Sequence, residues 1–273
     1  MTTAYTMCFE KRKASPALSH VVKEYTYREI KFHAPATIVR EMPCRHISSM
    51  DFFLAGQYAT VDVQSEASLP FDRSAIRGPR THRKYRIAIN EDFICFSIRF
   101  RPAGIFSLFG IPLEDFTDQS IDTSLVIPEL SRSLTDGLLL CGSLDHCVSV
   151  AERILLKQLP RHNNASPHVS ALADYIEASH AKTRIAELYD RIPLSGRHLE
   201  RRFIKEVGIS PKTYLNMLRF ENVMQAKKNF PHEKWSSIAY DLHYFDQMHL
   251  VKDFKKFLGI RPSEFHPSEF ALS

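Results

Sequence analysis

Near its C-terminal end, the sequence repeats one pattern of residues at an interval of 51 positions. The first copy runs from Arg202 to Tyr214, and the second runs from Asp253 to Phe265. Both copies place Phe, Lys, Gly, Ile and Pro at matching positions, which in the first copy are Phe203, Lys205, Gly208, Ile209 and Pro211. Two copies are too few for a solenoid, so the repeat indicates a duplicated supersecondary unit.

Each copy has the local signals of a helix that ends and is followed at once by another. The glycine suits the left-handed conformation that closes a helix, and the proline suits the first position of the next helix. Upstream, each copy predicts a short amphipathic helix, which begins at the candidate N-cap residue Ser195 or Asp246. A further short helix is predicted before each of them, over residues 183–191 and 236–242. The repeat therefore predicts two helix-turn-helix units.

A long helix from Pro211 to about Asn229 is predicted to join the two units. At 1.5 Å per residue its length is roughly 28 Å. That length is comparable with the ~34 Å turn of DNA that separates successive exposures of one groove. The second helix of each unit would then lie in a major groove, where arginine suits guanine edges and glutamine suits adenine.

The composition is that of a soluble globular protein, with 44% hydrophobic and 25% charged residues among 273. A net charge of +5 does not by itself indicate DNA binding, which depends on local basic clusters. The five cysteines form no C-x-x-C pair, and no apolar stretch suits a signal peptide or a membrane span. A cytoplasmic, nucleoid-associated protein without a membrane partner is expected. No metal-ligand spacing, nucleotide loop or nucleophile motif is found, so we expect no metal, no cofactor and no enzymatic activity.

The sequence predicts an α+β fold in two domains. A proline- and asparagine-rich segment marks a linker at 161–168, which separates a domain at 1–160 from one at 169–273. In the first domain, strands are predicted over 47–63, with a turn at Gly56, and over 93–100, where apolar and polar residues alternate. Helices are predicted over 103–109, 127–140 and 144–159.

A basic run in the first domain leaves three interpretations open: a solvated hairpin, a site for an anionic ligand, or an extra phosphate contact. Its residues are Arg77, Arg80, Arg83, Lys84 and Arg86.

The C-terminal segment from about Ala171 to Phe265 resembles the DNA-binding domain of the AraC/XylS family of bacterial transcriptional regulators. The resemblance rests on the stretch from Leu194 to Phe203, on the Gly-Ile-Ser-Pro and Gly-Ile-Arg-Pro closures, and on the stretch from Ile238 to Gln247. It departs from the family at His243, where a glycine is usual in the turn of the second unit. That position is expected to need a positive φ, which histidine tolerates at some cost.

The first domain resembles, less specifically, the sensory or dimerisation domain of one branch of that family. The matching stretches run from Ile98 to Phe106 and from Leu113 to Phe116. This resemblance implies a small β-barrel or cupin-like sheet followed by helices. The family resemblance also implies RNA polymerase as a partner, and it leaves a small-molecule effector and a homodimer open.

The function predicted from the resemblance is sequence-specific binding to double-stranded DNA and regulation of transcription, with two recognition helices in successive major grooves. An architectural or interaction protein that binds DNA without strong base readout is the alternative. The candidate DNA-contacting residues are Ser195, Arg197, His198, Glu200, Arg201 and Lys205 in the first unit, and Gln247, Met248, His249, Val251 and Lys252 in the second.

Overall fold

The computed structural model describes residues 4–56, 58–69, 73–159, 165–179, 195–244 and 246–270. Its N-terminal part contains two antiparallel sheets, one with the strand order β1-β2-β9-β4-β7-β10 and one with the order β3-β8-β5-β6. The strands are β1 (Tyr5–Lys13), β2 (Val22–Phe32), β3 (Ile38–Met42), β4 (Ser49–Ala55), β5 (Ala59–Asp62), β6 (Ser68–Leu69), β7 (Ser74–Arg77), β8 (Tyr85–Ile89), β9 (Phe93–Phe100) and β10 (Ser120–Asp122).

The α+β class is confirmed, but the described strands form two open sheets and no closed barrel. The reason is that the edge strands β1 and β10 of the larger sheet pair with no strand of the smaller one. The turn predicted at Gly56 is present, with a φ of 63°, between β4 and β5.

In strand β9, alternate residues face opposite sides of the larger sheet. Phe96, Ile98 and Phe100 are fully buried against the helices of the N-terminal domain. The alternate residues face the smaller sheet, and they include the buried Arg99 as well as Phe93. The predicted alternation is therefore confirmed, but its polar face lies inside the protein and not in solvent.

The helices that cover this sheet match the predicted positions closely. They are α1 (Gly104–Phe109), α2 (Thr123–Val126), α3 (Pro128–Leu138) and α4 (Leu144–Leu155), with a 3₁₀ turn at Leu113–Phe116. Leu134, Leu138, Cys147 and Leu155 are fully buried at helical spacing, which explains why α3 and α4 pack as a pair on the sheet.

The C-terminal part is helical, as the absence of strand-type alternation predicts. Its described helices are α5 (Pro167–Ala178), α6 (Gly196–Val207), α7 (Pro211–Asn229), α8 (Trp235–Asp241) and α9 (Gln247–Leu258), and 3₁₀ turns follow at Pro262–Glu264 and Pro267–Glu269. The helix predicted over 183–191 lies outside the described residues. No helix in the described ranges combines the length and apolarity needed to cross a membrane.

The two parts of the chain pack against each other. Cys44 and Ala103 of the N-terminal domain are buried within the hydrophobic cluster of the C-terminal helices. Phe270, near the end of the chain, forms a parallel bridge with Glu41 at strand β3. The C-terminal helices are therefore positioned in part by the sheet domain.

Candidate nucleic-acid interface

Helix α6 is the recognition helix predicted for the first unit, and its two ends are closed as the sequence predicts. The Ser195 hydroxyl accepts the backbone N–H of His198 at 3.4 Å, and Gly208 ends the helix with a φ of 94°. Leu199 and Phe203 are fully buried four residues apart, so they fix which face of the helix turns inward.

The opposite face of α6 carries the predicted DNA-contacting residues. All six are exposed: Ser195, Arg197, His198, Glu200, Arg201 and Lys205. Neither Arg197 nor Arg201 has an ion-pair partner among the residues that the structure describes. Arg202, between the two faces, instead pairs with Glu206 at 2.8 Å, and Glu206 accepts the backbone N–H of Ser166. Arg202 thus supports the structure, while Arg197 and Arg201 remain open to a ligand.

Helix α9 is the recognition helix predicted for the second unit, and it repeats this construction. The Asp246 carboxylate accepts the backbone N–H of His249 at 2.8 Å, and Gly259 ends the helix with a φ of 74°. Leu250 and Phe254 are fully buried, and the Trp235 ring lies 5.0 Å from that of Phe254. Trp235, the first residue of α8, therefore packs against α9.

The predicted contact residues of α9 also lie on its outer face, with one difference from α6. Gln247, Met248, His249 and Lys252 are exposed, whereas Val251 is half-buried. In the turn before α9, His243 has a φ of 58°, the positive value expected where the family usually has glycine. The second unit therefore has the predicted backbone and a more apolar outer surface than the first.

The contacts that hold α6 against the N-terminal domain could not be inferred from the sequence. The Thr117 hydroxyl donates a hydrogen bond to the carbonyl oxygen of Gly208, and the Leu113–Phe116 turn packs against α6. The ammonium group of Lys205 lies 5.8 Å from the centre of the Phe106 ring. The C-terminal half of α6 is thus docked on the sheet domain, while its N-terminal half projects away from these contacts.

A second contact between the domains is ionic and buried. Glu221 of α7 accepts the backbone N–H of His46 at 2.7 Å, and its Oε1 lies 2.8 Å from His46 Nδ1. Glu177 of α5 lies 3.7 Å from His46 Nε2 and also accepts hydrogen bonds from Tyr214 and Lys23. One histidine of the sheet domain therefore contacts two helices of the C-terminal region.

The pKa values of this group follow from burial opposed by charge. Burial favours neutral His46, but the charge and hydrogen bonds of Glu221, with the nearby Glu177 carboxylate, outweigh it and raise the histidine pKa. Burial likewise opposes ionisation of Glu177, yet His46 and Lys23 lower its pKa to about 2. Glu221 is shifted downward for the same reason. The contact is thus stabilised when the histidine is protonated and both carboxylates are charged.

Comparison with known proteins agrees with this geometry. A helix-turn-helix domain family matches residues 188–267, and a family described as a domain of unknown function matches residues 10–122. No curated protein matches the chain.

Two solved structures show a distant similarity to the chain. One is ToxT from Vibrio cholerae, with 11% identity over 96% of each chain and a TM-score of 0.45. The other is the AraC-like transcriptional activator CuxR, with 10% identity over 78% of this chain and 80% of that one and a TM-score of 0.30.

The matched residues 188–267 contain the two capped helices and the glycines that close them. The C-terminal region of this chain is an AraC/XylS-type helix-turn-helix domain.

Proposed function

We propose that the chain regulates transcription by binding a specific double-stranded DNA sequence through α6 and α9, which enter successive major grooves. The observation that carries the proposal is the matched construction of the two helices. Each is capped at its N-terminus, closed by a left-handed glycine and anchored by two apolar residues, and each presents polar side chains outward.

The spacing of the two recognition helices is supported by their packing on one helix. The Tyr214 ring of α7 lies 5.6 Å from that of Phe203 in α6. Six residues further along α7, the Phe220 ring lies 4.9 Å from that of Phe254 in α9. All four rings are fully buried, so a change in the relative position of α6 and α9 would break aromatic packing.

The proposed contact residues fall into groups according to the part of the DNA that each would contact. Arg197 and Arg201, on the exposed N-terminal half of α6, would read base edges, as Gln247 would in α9. Ser195, Lys205 and Lys252 would contact phosphates, and His198, Glu200, Met248, His249 and Val251 would complete the two interfaces.

The remaining parts of the chain would serve regulation. In this proposal residues 1–160 form a sensory and dimerisation domain, 161–168 a linker, and 169–273 the DNA-binding domain. RNA polymerase is the proposed protein partner, and a small-molecule effector and a second copy of the chain would act through the N-terminal domain.

The experiment is selection of a binding site from a random DNA library, followed by titration of the selected site with variants of the full chain. Arg201→Ala should weaken binding about 5- to 150-fold and relax preference at one base pair, because each bidentate contact discriminates by ~1–3 kcal/mol. Lys252→Ala should weaken binding to all sequences and reduce the salt slope by about one. Arg153→Ala, an exposed charge on α4, is the matched control and should change neither.

One observation favours the alternative of an architectural protein. In α9, Met248 is 61% exposed and Val251 is half-buried, and neither side chain can read a base edge by hydrogen bonds. If the selection returns no enriched sequence and Arg201→Ala weakens binding uniformly, the architectural function replaces the proposed one.

A further inference from the structure

Helices α6 and α9 end against the same small region of the sheet domain. Two segments form this region: 79–84, which lies between β7 and β8, and 113–118, which lies between α1 and β10. Together they are named the docking loops. The last carbonyl groups of a helix have no partner inside the helix, so another element can hold a helix at this end by hydrogen bonds.

The end of α6 is held mainly by the segment 113–118. The Thr117 hydroxyl donates a hydrogen bond to the carbonyl oxygen of Gly208, the residue that closes α6. Both docking loops approach closely, since a Cβ built at Gly208 would lie 2.9 Å from the Leu113 carbonyl oxygen and 3.1 Å from Cδ of Pro79. Glycine therefore suits this position for its left-handed backbone and for the lack of space around it.

The end of α9 is held by the segment 79–84. The backbone N–H of Arg83 donates to the carbonyl oxygen of Phe257, in the last turn of α9, at 2.8 Å. The guanidinium Nη1 lies 3.8 Å from the Glu41 carboxylate, and Nη2 lies 4.0 Å from the position that a Cβ would take at Gly259. A cation near the C-terminal end of a helix is favourable, because the helix dipole is negative there. Arg83 thus joins α9 to the sheet domain through its backbone and its charge.

Asp118 connects the two docking loops to each other. Its carboxylate accepts the backbone N–H and the hydroxyl of Thr81, each at 2.6 Å, and its backbone N–H donates to the Pro79 carbonyl oxygen at 2.8 Å. Its carbonyl oxygen accepts hydrogen bonds from Lys84 Nζ and the Tyr85 hydroxyl, both at 2.9 Å. These bonds hold Asp118 at a φ of 58°, which is uncommon for a residue other than glycine. The contacts with α6 and α9 therefore belong to one hydrogen-bonded unit.

We propose that the docking loops set the position of α6 relative to α9, and that Thr117 and Asp118 are positioning residues for DNA binding. This rests on the proposed function, since the relative position matters only when both helices contact one DNA molecule. Aromatic packing on α7 attaches each helix through one ring, that of Phe203 or Phe254. The docking loops add a second attachment at the C-terminal end of each helix. Two attachments restrict the angle of a helix as well as its location.

The experiment compares the affinity of the full chain for two DNA molecules, the site selected from the random library and the same site with one base pair inserted between its halves. The insertion moves one half by about 3.4 Å and about 35°. The wild-type chain should bind the inserted site about 5- to 150-fold more weakly, the effect of losing a base contact. A variant that is only less stable would bind both DNA molecules more weakly and leave this ratio unchanged.

Two variants weaken the docking loops in different ways. Thr117→Val keeps a β-branched side chain and removes the hydroxyl that contacts Gly208. Asp118→Gly permits the left-handed backbone and removes the carboxylate that joins the loops. Each should reduce the ratio about 2- to 12-fold towards one, the net effect of one hydrogen bond. Glu66→Gly is the matched control, because Glu66 also has a positive φ, of 56°, but lies exposed between β5 and β6, and it should keep the wild-type ratio.

Hydrogen exchange of the full chain without DNA gives a second measurement. In Asp118→Gly, peptides covering 79–85 and 253–260 should exchange faster than in the wild type, because the Arg83 amide is bonded to the end of α9. In Glu66→Gly they should exchange as in the wild type. Unchanged exchange in Asp118→Gly, or a wild-type ratio in both docking-loop variants, overturns the positioning role and leaves the proposed function intact. If the library yields no enriched sequence, the proposed function fails and the positioning role fails with it.

Discussion

Replacing Glu221 by Gln tests the buried ionic contact between the two domains. The Gln side chain keeps an oxygen that can accept the backbone N–H of His46, which now lies 2.7 Å from Glu221 Oε1, but it carries no charge. Hydrogen bonds to charged groups contribute about 1.5–3 kcal/mol, and neutral ones contribute about 0.5–1.5 kcal/mol. We therefore expect Glu221→Gln to lower the free energy of unfolding by about 1–2 kcal/mol.

The pH dependence of this loss has a definite sign. The pKa of folded His46 is raised above the ordinary value of 6.5. Its stabilising contribution is therefore complete below pH 6.5 and is lost as the pH rises through the folded pKa. Within that window the free energy of unfolding falls by up to about 1.4 kcal/mol per pH unit. Glu221→Gln removes the negative charge nearest to the His46 ring, so the pKa of folded His46 should lie closer to 6.5 and the loss of stability should span a smaller pH range. Glu177 and Lys23 continue to face the ring.

The measurement is thermal unfolding of the full chain between pH 6 and 8.5. For a chain of this size, each 1 kcal/mol should appear as a Tm shift of about 2–4 °C. The difference in Tm between wild type and Glu221→Gln should shrink as the pH rises, because His46 becomes neutral in the wild type. Glu114→Gln, which neutralises an exposed carboxylate, is the control. Parallel Tm curves for wild type and Glu221→Gln would refute the assignment of this charge to the contact.

Three further expectations follow from local geometry. Alanine at Gly208 or Gly259 should cost about 1–2 kcal/mol of left-handed strain. Gly208→Ala should cost more, since its Cβ would lie 2.9 Å from the Leu113 carbonyl oxygen while that of Gly259 meets nothing closer than 4.0 Å; equal Tm losses would contradict this. Asp246→Ala removes the N-cap of α9 and should lower the free energy of unfolding by about 1 kcal/mol, as measured by urea unfolding. An unchanged free energy of unfolding would show that this cap does not stabilise α9. In the native protein at pH 8, Cys8 should react first with a thiol reagent because it is exposed, and loss of the fast phase in Cys8→Ser checks the assignment.

The features that were predictable from the sequence are those with local causes. The bounds of β9 follow from alternating residues, and the ends of α6 and α9 follow from caps and left-handed glycines. The positive φ at His243 was predictable from the family pattern because a short turn constrains its own backbone. The outward positions of Arg197 and Arg201 follow once Leu199 and Phe203 define the buried face.

The features that were not predictable depend on contacts between residues distant in the sequence. His46 and Glu221 are 175 positions apart, and nothing near either residue indicates the other. The burial of Arg80 arises where two sheets meet, so a run of basic residues that suggests a solvated hairpin becomes partly the wall of a cavity. Val251 is half-buried, because the exposure of a residue on α9 depends on how the helix packs as well as on the position of the residue in the sequence.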